Sequence, residues 1–280
     1  MARFLLLVVL IALLFPMRVD ASPVAVLVHG MNAGEDDLDP LAEYLDRIGY
    51  RVARFDYDDH EPLDASATEL GGFVRALLPD QETSRLLVVG HSMGGLVARR
   101  AFTVGHAARL DRLDGLTQLI TVASPLNGLP IADGSRADLG LGPESFHDLG
   151  RRSPFVRAPG TLPRGVRHVR VETAERGTQR RTARGLRSDA MIPVRAQRNP
   201  VVDDQAEVIR VEAGHLGVIN TDGRLSPTLE SALDRLLTHP RLLAERRSGA
   251  WDQSDGFTVA LLVPGTAPAS LRPSEAGTAR

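Results

Sequence analysis

A serine at position 92 stands in a pattern that suits nucleophilic chemistry. Residues 90–94 read Gly-His-Ser-Met-Gly, directly after the apolar run 86–89 and before the apolar-rich stretch 96–102. This order predicts a buried strand, a sharp turn that carries the serine, and a helix. Because Gly90 and Gly94 have no Cβ, neighbouring chain can pass close to the turn. A hydroxyl exposed there could attack a carbonyl carbon, whereas the alternative is a glycine-rich strand–helix turn without chemistry.

A serine hydroxyl hardly ionises at neutral pH, so it needs a base. His215 is expected to serve, because it follows a late strand and lies in a loop between Gly214 and Gly217, which leave room for a projecting imidazole. In the triads that use such a turn, the chain order is serine, acid, histidine. His239 is better explained by helix capping and His91 by packing. The histidines expected to be surface or structural residues are His60, His106, His147 and His168.

The imidazole needs a carboxylate to fix its tautomer and to stabilise the imidazolium. Asp189 is the first candidate, since it lies in a turn that follows the strand predicted at 165–171. Glu172, at the end of that strand, is the reserve candidate. Asp203 and Asp204 are expected to form a solvated turn before the next strand.

Attack on a carbonyl creates an oxyanion, which needs two N–H donors. One is expected from Met93, the residue after the candidate nucleophile. The other is expected from Met31, because Gly30 lets the chain turn after the first apolar strand so that the N–H of Met31 points inward. The alternative for this loop is an ordinary strand-end turn.

Apolar runs alternate with stretches of helical periodicity between residues 24 and 237. This alternation predicts an α/β fold with a mostly parallel, doubly wound sheet, whose ligands bind at the carboxyl ends of the strands. The predicted strands are 24–28, 50–56, 85–90, 116–122, 165–171 and 206–211.

Residues 126–163 interrupt this alternation with a segment rich in Gly, Pro, Asp and Arg. We expect a small cap or insertion over the carboxyl edge of the sheet, above Ser92. Its apolar side chains could line an acyl-chain groove, or they could only pack against the edge of the sheet. These side chains are Leu139, Leu141, Phe146, Leu149 and Phe155.

The two ends of the chain differ from the predicted domain at 22–245. Arg3, the apolar run 4–15 and the small residues before position 22 are typical of a signal peptide at 1–21, cut after Ala21. An uncleaved anchor is the alternative, although a spanning helix needs roughly 20 apolar residues. Export to the periplasm or the medium is therefore expected. Residues 246–280 predict a partly disordered tail.

Composition narrows the classes of function. The net charge of −2 gives no reason to expect nucleic-acid binding. The absence of cysteine excludes disulfides and thiolate chemistry. No His-x-x-x-His pair is present, which argues against a metal hydrolase. No cofactor and no metal ion are expected.

Taken together, these segments resemble the lipase and esterase branch of the α/β-hydrolase superfamily. Within it, the bacterial triacylglycerol lipases and the esterases like GPI inositol-deacylase are the most similar groups. The resemblance covers residues 24–237 and implies the α/β-hydrolase fold and a Ser-His-Asp triad. The matching segments are 26–31 (VLVHGM), 90–95 (GHSMGG), 121–128 (TVASPLNG), 188–194 (SDAMIPV) and 215–220 (HLGVIN).

The sequence thus predicts an exported serine hydrolase that cleaves carboxylic esters through an acyl-enzyme. A small-molecule or lipid ester is the expected substrate, and transient contact with a membrane or lipid interface is left open. An acyltransferase would differ only in the acceptor of the second step. A non-catalytic binding module of the same fold is expected to lack one of the three residues Ser92, Asp189 and His215, all of which are present.

Overall fold

One parallel sheet organises the computed structural model, which describes residues 23–78, 85–103, 105–106, 116–133, 142–175 and 188–237. The predicted signal peptide, the predicted tail at 246–280, and Leu139 and Leu141 lie outside the described residues.

Within the described residues, the sheet has six strands: β1 Val24–Val28, β2 Arg51–Phe55, β3 Arg85–His91, β4 Leu116–Val122, β5 Val166–Thr173 and β6 Ala206–Val211. Their order is β2-β1-β3-β4-β5-β6, and every neighbouring pair is parallel. The chain runs outward from β1 to β2 and then returns to β3 on the other side of β1. The loops after β1 and β3 therefore diverge at the carboxyl edge, which is where open α/β sheets bind ligands.

Helices cover both faces of the sheet. The described α-helices are α1 Asp39–Arg47, α2 Leu63–Leu77, α3 Met93–Ala101, α4 Glu144–Asp148, α5 Pro154–Arg157, α6 Pro200–Asp203 and α7 Pro227–Leu237, and the 3₁₀ turns are Glu35–Leu38, Pro130–Asp133 and Val194–Ala196. On one face α2 and α3 pack against a cluster that includes Val26 and Val88, and on the other α1 and α7 pack against a cluster that includes Leu27 and Val89.

The predicted α/β class, with a doubly wound parallel sheet, is confirmed. Residues of β1 are all buried, because helices lie on both of its faces, and this explains why the strand is apolar throughout. Strand β5 continues to Thr173, two residues beyond its predicted end, because Glu172 and Thr173 still pair with β6. Among the described residues, no helix has the length and apolar character needed to cross a membrane.

The described part of the 126–163 segment is packed onto the domain. Leu149 is buried, and Phe146 and Phe155 pack against the same apolar cluster as α2 and α3. The Ser145 hydroxyl donates to the carbonyl of Asp59 (2.6 Å), which ties α4 to the loop after β2. These contacts fit the packing alternative for the three side chains.

Phe155 also borders a small, shallow hollow of about 20 Å³ together with Leu96 and Leu126. Leu96 lies about one turn along α3 from Ser92. The acyl-chain groove stays a prediction.

The N-terminus of α3 approaches the end of β1 so closely that only glycine fits at position 94. A Cβ there would overlap the carbonyl oxygens of Val28 and His29 and would lie 2.8 Å from the carbonyl carbon of Val28. These atoms belong to the backbone at the end of the central strand β1, so they cannot rotate away.

Gly94→Ala is therefore expected to lower the free energy of unfolding by about 3 kcal/mol or more. Gly72→Ala is the matched control, since a Cβ at Gly72 in α2 meets nothing within 4 Å. That variant should be stabilised by roughly 0.5–1 kcal/mol, because alanine favours the helix. Urea unfolding of both variants measures the difference, and equal stability of the two would contradict the packing argument.

Candidate active site

Ser92 occupies the sharp turn between β3 and α3. Its backbone has φ 53° and ψ −124°, a conformation that L-residues rarely adopt. Its N–H donates to the carbonyl of Val122 (2.9 Å), so the neighbouring strand β4 holds the turn in place. The side chain is only partly buried. Backbone strain of this kind costs about 1–3 kcal/mol and persists only where surrounding structure enforces it.

His215 and Asp189 form a hydrogen-bonded chain with Ser92. His215 Nε2 lies 3.0 Å from Ser92 Oγ, and His215 Nδ1 lies 2.9 Å from Asp189 Oδ2. An ionised carboxylate can only accept, so Nδ1 carries the proton and Nε2 is left to accept from the serine hydroxyl. The structure thus brings together the three residues that the sequence predicted as nucleophile, base and acid, although their catalytic roles stay predictions.

The Asp189 carboxylate is fully buried and accepts several hydrogen bonds. The backbone N–H groups of Met191 (3.1 Å) and Ile192 (2.6 Å) donate to Oδ1, and the Thr173 hydroxyl donates to Oδ2 (2.8 Å). The carbonyl of Asp189 also accepts from the N–H of His215 (2.8 Å). The loops after β5 and β6 are therefore joined by backbone as well as by side chains.

Glu172, the reserve acid, belongs to a different cluster. Its buried carboxylate accepts from Arg198 (2.6 and 2.8 Å), from Arg170 (3.2 Å) and from Arg210 (3.3 Å). Burial alone would raise the pKa of Glu172, but Arg198 and Arg170 outweigh it and hold the pKa of that carboxyl below its ordinary value. No described hydrogen bond joins it to His215, so the arrangement favours Asp189.

The prediction that Asp203 and Asp204 form a solvated turn is wrong for Asp203. Asp203 ends α6, and one of its carboxylate oxygens lies 3.0 Å from Nε of the buried Arg170. Burial of the charged Arg170 guanidinium is unfavourable unless an opposite charge lies close to it, and the Asp203 carboxylate at the end of α6 contributes such a charge. Asp204 is exposed as expected.

His91 does more than pack within the turn. Its ring is buried, its Nε2 donates to the carbonyl of His215 (3.0 Å), and its centroid lies 4.9 Å from that of the His215 ring. Burial, and then the neighbouring His215, lower the pKa of His91 from 6.5 to about 4. The ring is therefore neutral near pH 7, and its hydrogen bond to the carbonyl of His215 helps to hold the loop that carries His215.

The loop after β1 passes directly beside Ser92. A Cβ at Gly30 would lie 2.9 Å from Ser92 Cβ and 3.5 Å from its Oγ, so the chain at Met31 is adjacent to the candidate nucleophile. Asn32 has φ 54°, and its N–H donates to the buried Asp59 carboxylate. Met93 is the first residue of α3, where N–H groups have no partner within the helix. The positions of Met31 and Met93 are therefore compatible with their predicted role as oxyanion donors.

Asp58, Asp59 and His60 bring possible metal ligands within 4.8 Å of one another. These atoms already have partners in the protein, since His60 Nδ1 lies 2.9 Å from Asp59 Oδ1 and the other Asp59 oxygen accepts from Asn32. We therefore interpret the group as support for the Met31 loop.

Comparison with known proteins agrees with this architecture. The family model described as the PGAP1-like alpha/beta domain matches residues 75–182. The structure of the mature lipase BlEst2 from Bacillus licheniformis has a TM-score of 0.58 and 18% identity, over 80% of this chain and 95% of that chain. The chain has the α/β-hydrolase fold. The resemblance to lipase- and esterase-like α/β-hydrolases is thereby confirmed.

Two further structures of this α/β-hydrolase fold are similar. A metagenomic carboxyl esterase has a TM-score of 0.56 and 16% identity, over 79% of this chain and 76% of that chain. The lin2722 gene product of Listeria innocua has a TM-score of 0.51 and 15% identity, over 79% of this chain and 95% of that chain. No curated protein matches the chain by sequence.

Sequence reasoning did not single out Thr173, Gln197 or Asp59. A polar residue at the carboxyl end of a parallel strand is a signal that could have identified Thr173. Asp59 lies in an acidic run, and Gln197 follows a 3₁₀ turn, so neither stands out from local sequence.

The neutral, buried His91 predicts a pH-dependent stability. Below about pH 6.5 the unfolded chain binds a proton at this residue, whereas the folded protein does so only near pH 4. The free energy of unfolding should therefore fall as the pH drops from 6.5 towards 4, by about 3 kcal/mol from His91.

Urea unfolding at pH 7 and pH 4.5 tests this expectation in the wild type and in His91→Asn. The variant should lose less stability than the wild type on acidification. Burial also lowers the pKa of His168, so that residue contributes the same loss of stability in both proteins. Equal losses in the two proteins would show that His91 is not the group responsible.

Proposed function

We propose that the protein hydrolyses carboxylic esters, with Ser92 as nucleophile, His215 as general base and Asp189 as the acid that orients it. The observation that carries this proposal is the unbroken hydrogen-bonded chain from Ser92 Oγ through His215 to the buried Asp189 carboxylate. The α/β-hydrolase fold and its lipase- and esterase-like neighbours support ester hydrolysis as the general chemistry.

In the first step, Ser92 Oγ attacks the ester carbonyl carbon while its proton passes to Nε2 of His215. The N–H groups of Met31 and Met93 stabilise the negative oxygen of the tetrahedral intermediate. As the intermediate collapses, the bond to the leaving oxygen breaks and His215 donates its proton to that oxygen. An alcohol leaves, and the acyl group remains on Ser92.

In the second step, water attacks the acyl carbon and gives its proton to His215. The bond to Ser92 Oγ then breaks, His215 returns the proton to the serine, and a carboxylic acid leaves. Asp189 stays ionised throughout and stabilises the imidazolium that forms in each step.

Apolar acyl or lipid esters are the proposed substrates because exposed apolar side chains flank the site. Met191, two residues after Asp189, is 62% exposed, and Leu216, next to His215, is 65% exposed. Large apolar side chains beside a nucleophile can contact an acyl chain or a lipid surface. We also propose that the protein is exported, through the signal peptide predicted at residues 1–21.

Ser92→Ala should lower the hydrolysis of p-nitrophenyl butyrate on the order of 10³-fold or more, because no nucleophile remains. His215→Ala should cause comparable loss and should also abolish labelling of Ser92 by a fluorophosphonate probe. Circular dichroism checks that both variants are folded. A folded Ser92→Ala protein with the wild-type rate would overturn the proposal, and so would transfer of the acyl group to an alcohol in preference to water.

The double variant Met191→Ser, Leu216→Ser should lower kcat/KM for p-nitrophenyl decanoate by roughly five- to tenfold, since apolar contact with the chain is lost. Hydrolysis of p-nitrophenyl acetate should change little. Val201→Ser removes an exposed apolar side chain from α6, outside the loops of Asp189 and His215, and serves as control. Equal losses on both esters would contradict a role in binding the acyl chain.

A further inference from the structure

The end of strand β5 carries an unusual arrangement beside Asp189. Thr173 is the last residue of β5 and is completely buried, as is Gln197 in the following loop. The Gln197 side-chain amide donates to the carbonyl of Thr173 (2.9 Å) and accepts from its N–H (2.9 Å). The Thr173 hydroxyl in turn donates to Asp189 Oδ2 (2.8 Å), the oxygen that holds His215.

The Gln197 amide takes the place of the hydrogen-bond partners that β4 would otherwise offer to the backbone of Thr173. Ala123 still donates to the carbonyl of Val171 (3.0 Å), but it has φ 52° and β4 leaves the sheet there. In a continuing parallel ladder, the next bond would run from the N–H of Thr173 to the carbonyl of Ala123. Gln197 takes that bond instead, so the backbone of Thr173 stays fixed beyond the point where β4 ends.

The position of Gln197 is itself determined. Its backbone carbonyl accepts from the buried Arg170 (3.2 Å), and its N–H donates to the carbonyl of Val194 (3.1 Å). The amide nitrogen also lies 3.5 Å from Asp189 Oδ2. Because both its backbone and its side-chain amide are hydrogen-bonded, Gln197 can act as a rigid support.

Besides His215, the donors around Asp189 are a hydroxyl and backbone N–H groups, all of them uncharged. Hydrogen bonds from Thr173 and from the backbone hold the buried carboxylate without cancelling its charge. Glu172, the neighbouring residue on β5, faces the other side of the sheet and is compensated by three arginines. A guanidinium at Asp189 would compete with the imidazolium for the same charge, and the described contacts place none there.

We propose that Thr173 and Gln197 are positioning residues that hold the ionised Asp189 carboxylate in line with His215. This inference rests on the proposed hydrolase function. Neither residue touches the substrate. The Thr173 hydroxyl fixes the oxygen that binds His215 Nδ1, and Gln197 fixes Thr173. Loss of either support lets the carboxylate turn away as the imidazolium forms, which lowers kcat and leaves KM nearly unchanged.

Thr173→Val tests the hydroxyl, because valine has nearly the same shape and leaves the backbone bonds to Gln197 in place. Its kcat for p-nitrophenyl butyrate should fall on the order of tenfold, with KM within about twofold of the wild type. The low-field proton resonance of the His215 Nδ1–H should shift. Thr173→Ser keeps the hydroxyl and should restore both kcat and the resonance, which a purely structural role would not require.

Gln197→Met is the second variant and removes both amide bonds while it retains the length of the side chain. It should reproduce the loss in kcat and the shifted resonance, even if Thr173→Val fails to fold. Wild-type kcat and an unshifted resonance in a folded Thr173→Val or Gln197→Met protein would overturn the inference while activity still depends on Ser92. If the activity does not depend on Ser92, the proposed function fails and this inference fails with it.

Discussion

The close approach of α3 to the end of β1 is the constraint on which the site depends. Gly94 lies against the carbonyls of Val28 and His29, and Gly30 reaches back to Ser92. Since glycine stands on both sides of the contact, the two chain segments lie closer than side chains would permit. This packing keeps Ser92 in its strained conformation, because α3 would have to separate from the sheet for the turn to relax. Ser92 and one candidate oxyanion donor are thereby fixed together.

Two buried carboxylates near the end of β5, those of Glu172 and Asp189, differ in the hydrogen-bond donors that surround them. Glu172 is surrounded by guanidinium groups, and its hydrogen bonds to them join β5, β6 and the loop at Arg198. Asp189 receives neutral donors, so its charge remains available to a histidine. The Glu172 carboxylate is costly to bury and stabilises the fold only while its arginine partners stay in place. The Asp189 carboxylate instead binds the imidazole of His215.

The position of His215 is determined by its backbone as much as by its ring. Its N–H donates to the carbonyl of Asp189, and its own carbonyl accepts from the neutral ring of His91. The end of β3 and the loops after β5 and β6 are thus joined at one residue. Because His91 directly precedes Ser92, the candidate nucleophile and the candidate base are linked through the protein as well as through their mutual hydrogen bond.

Local sequence was sufficient to predict the parallel α/β sheet and to select Ser92, Asp189 and His215. Apolar runs mark strands buried on both faces, and glycines mark the turns where backbones meet. It failed for Asp203, because nothing near that residue shows that Arg170 would lie against it. It also left Thr173 and Gln197 unnoticed, since their importance arises where β4 leaves the sheet and β5 continues. Hydrophobic periodicity determines which elements form, whereas the partners of buried polar groups are decided only when distant segments pack together and water is excluded.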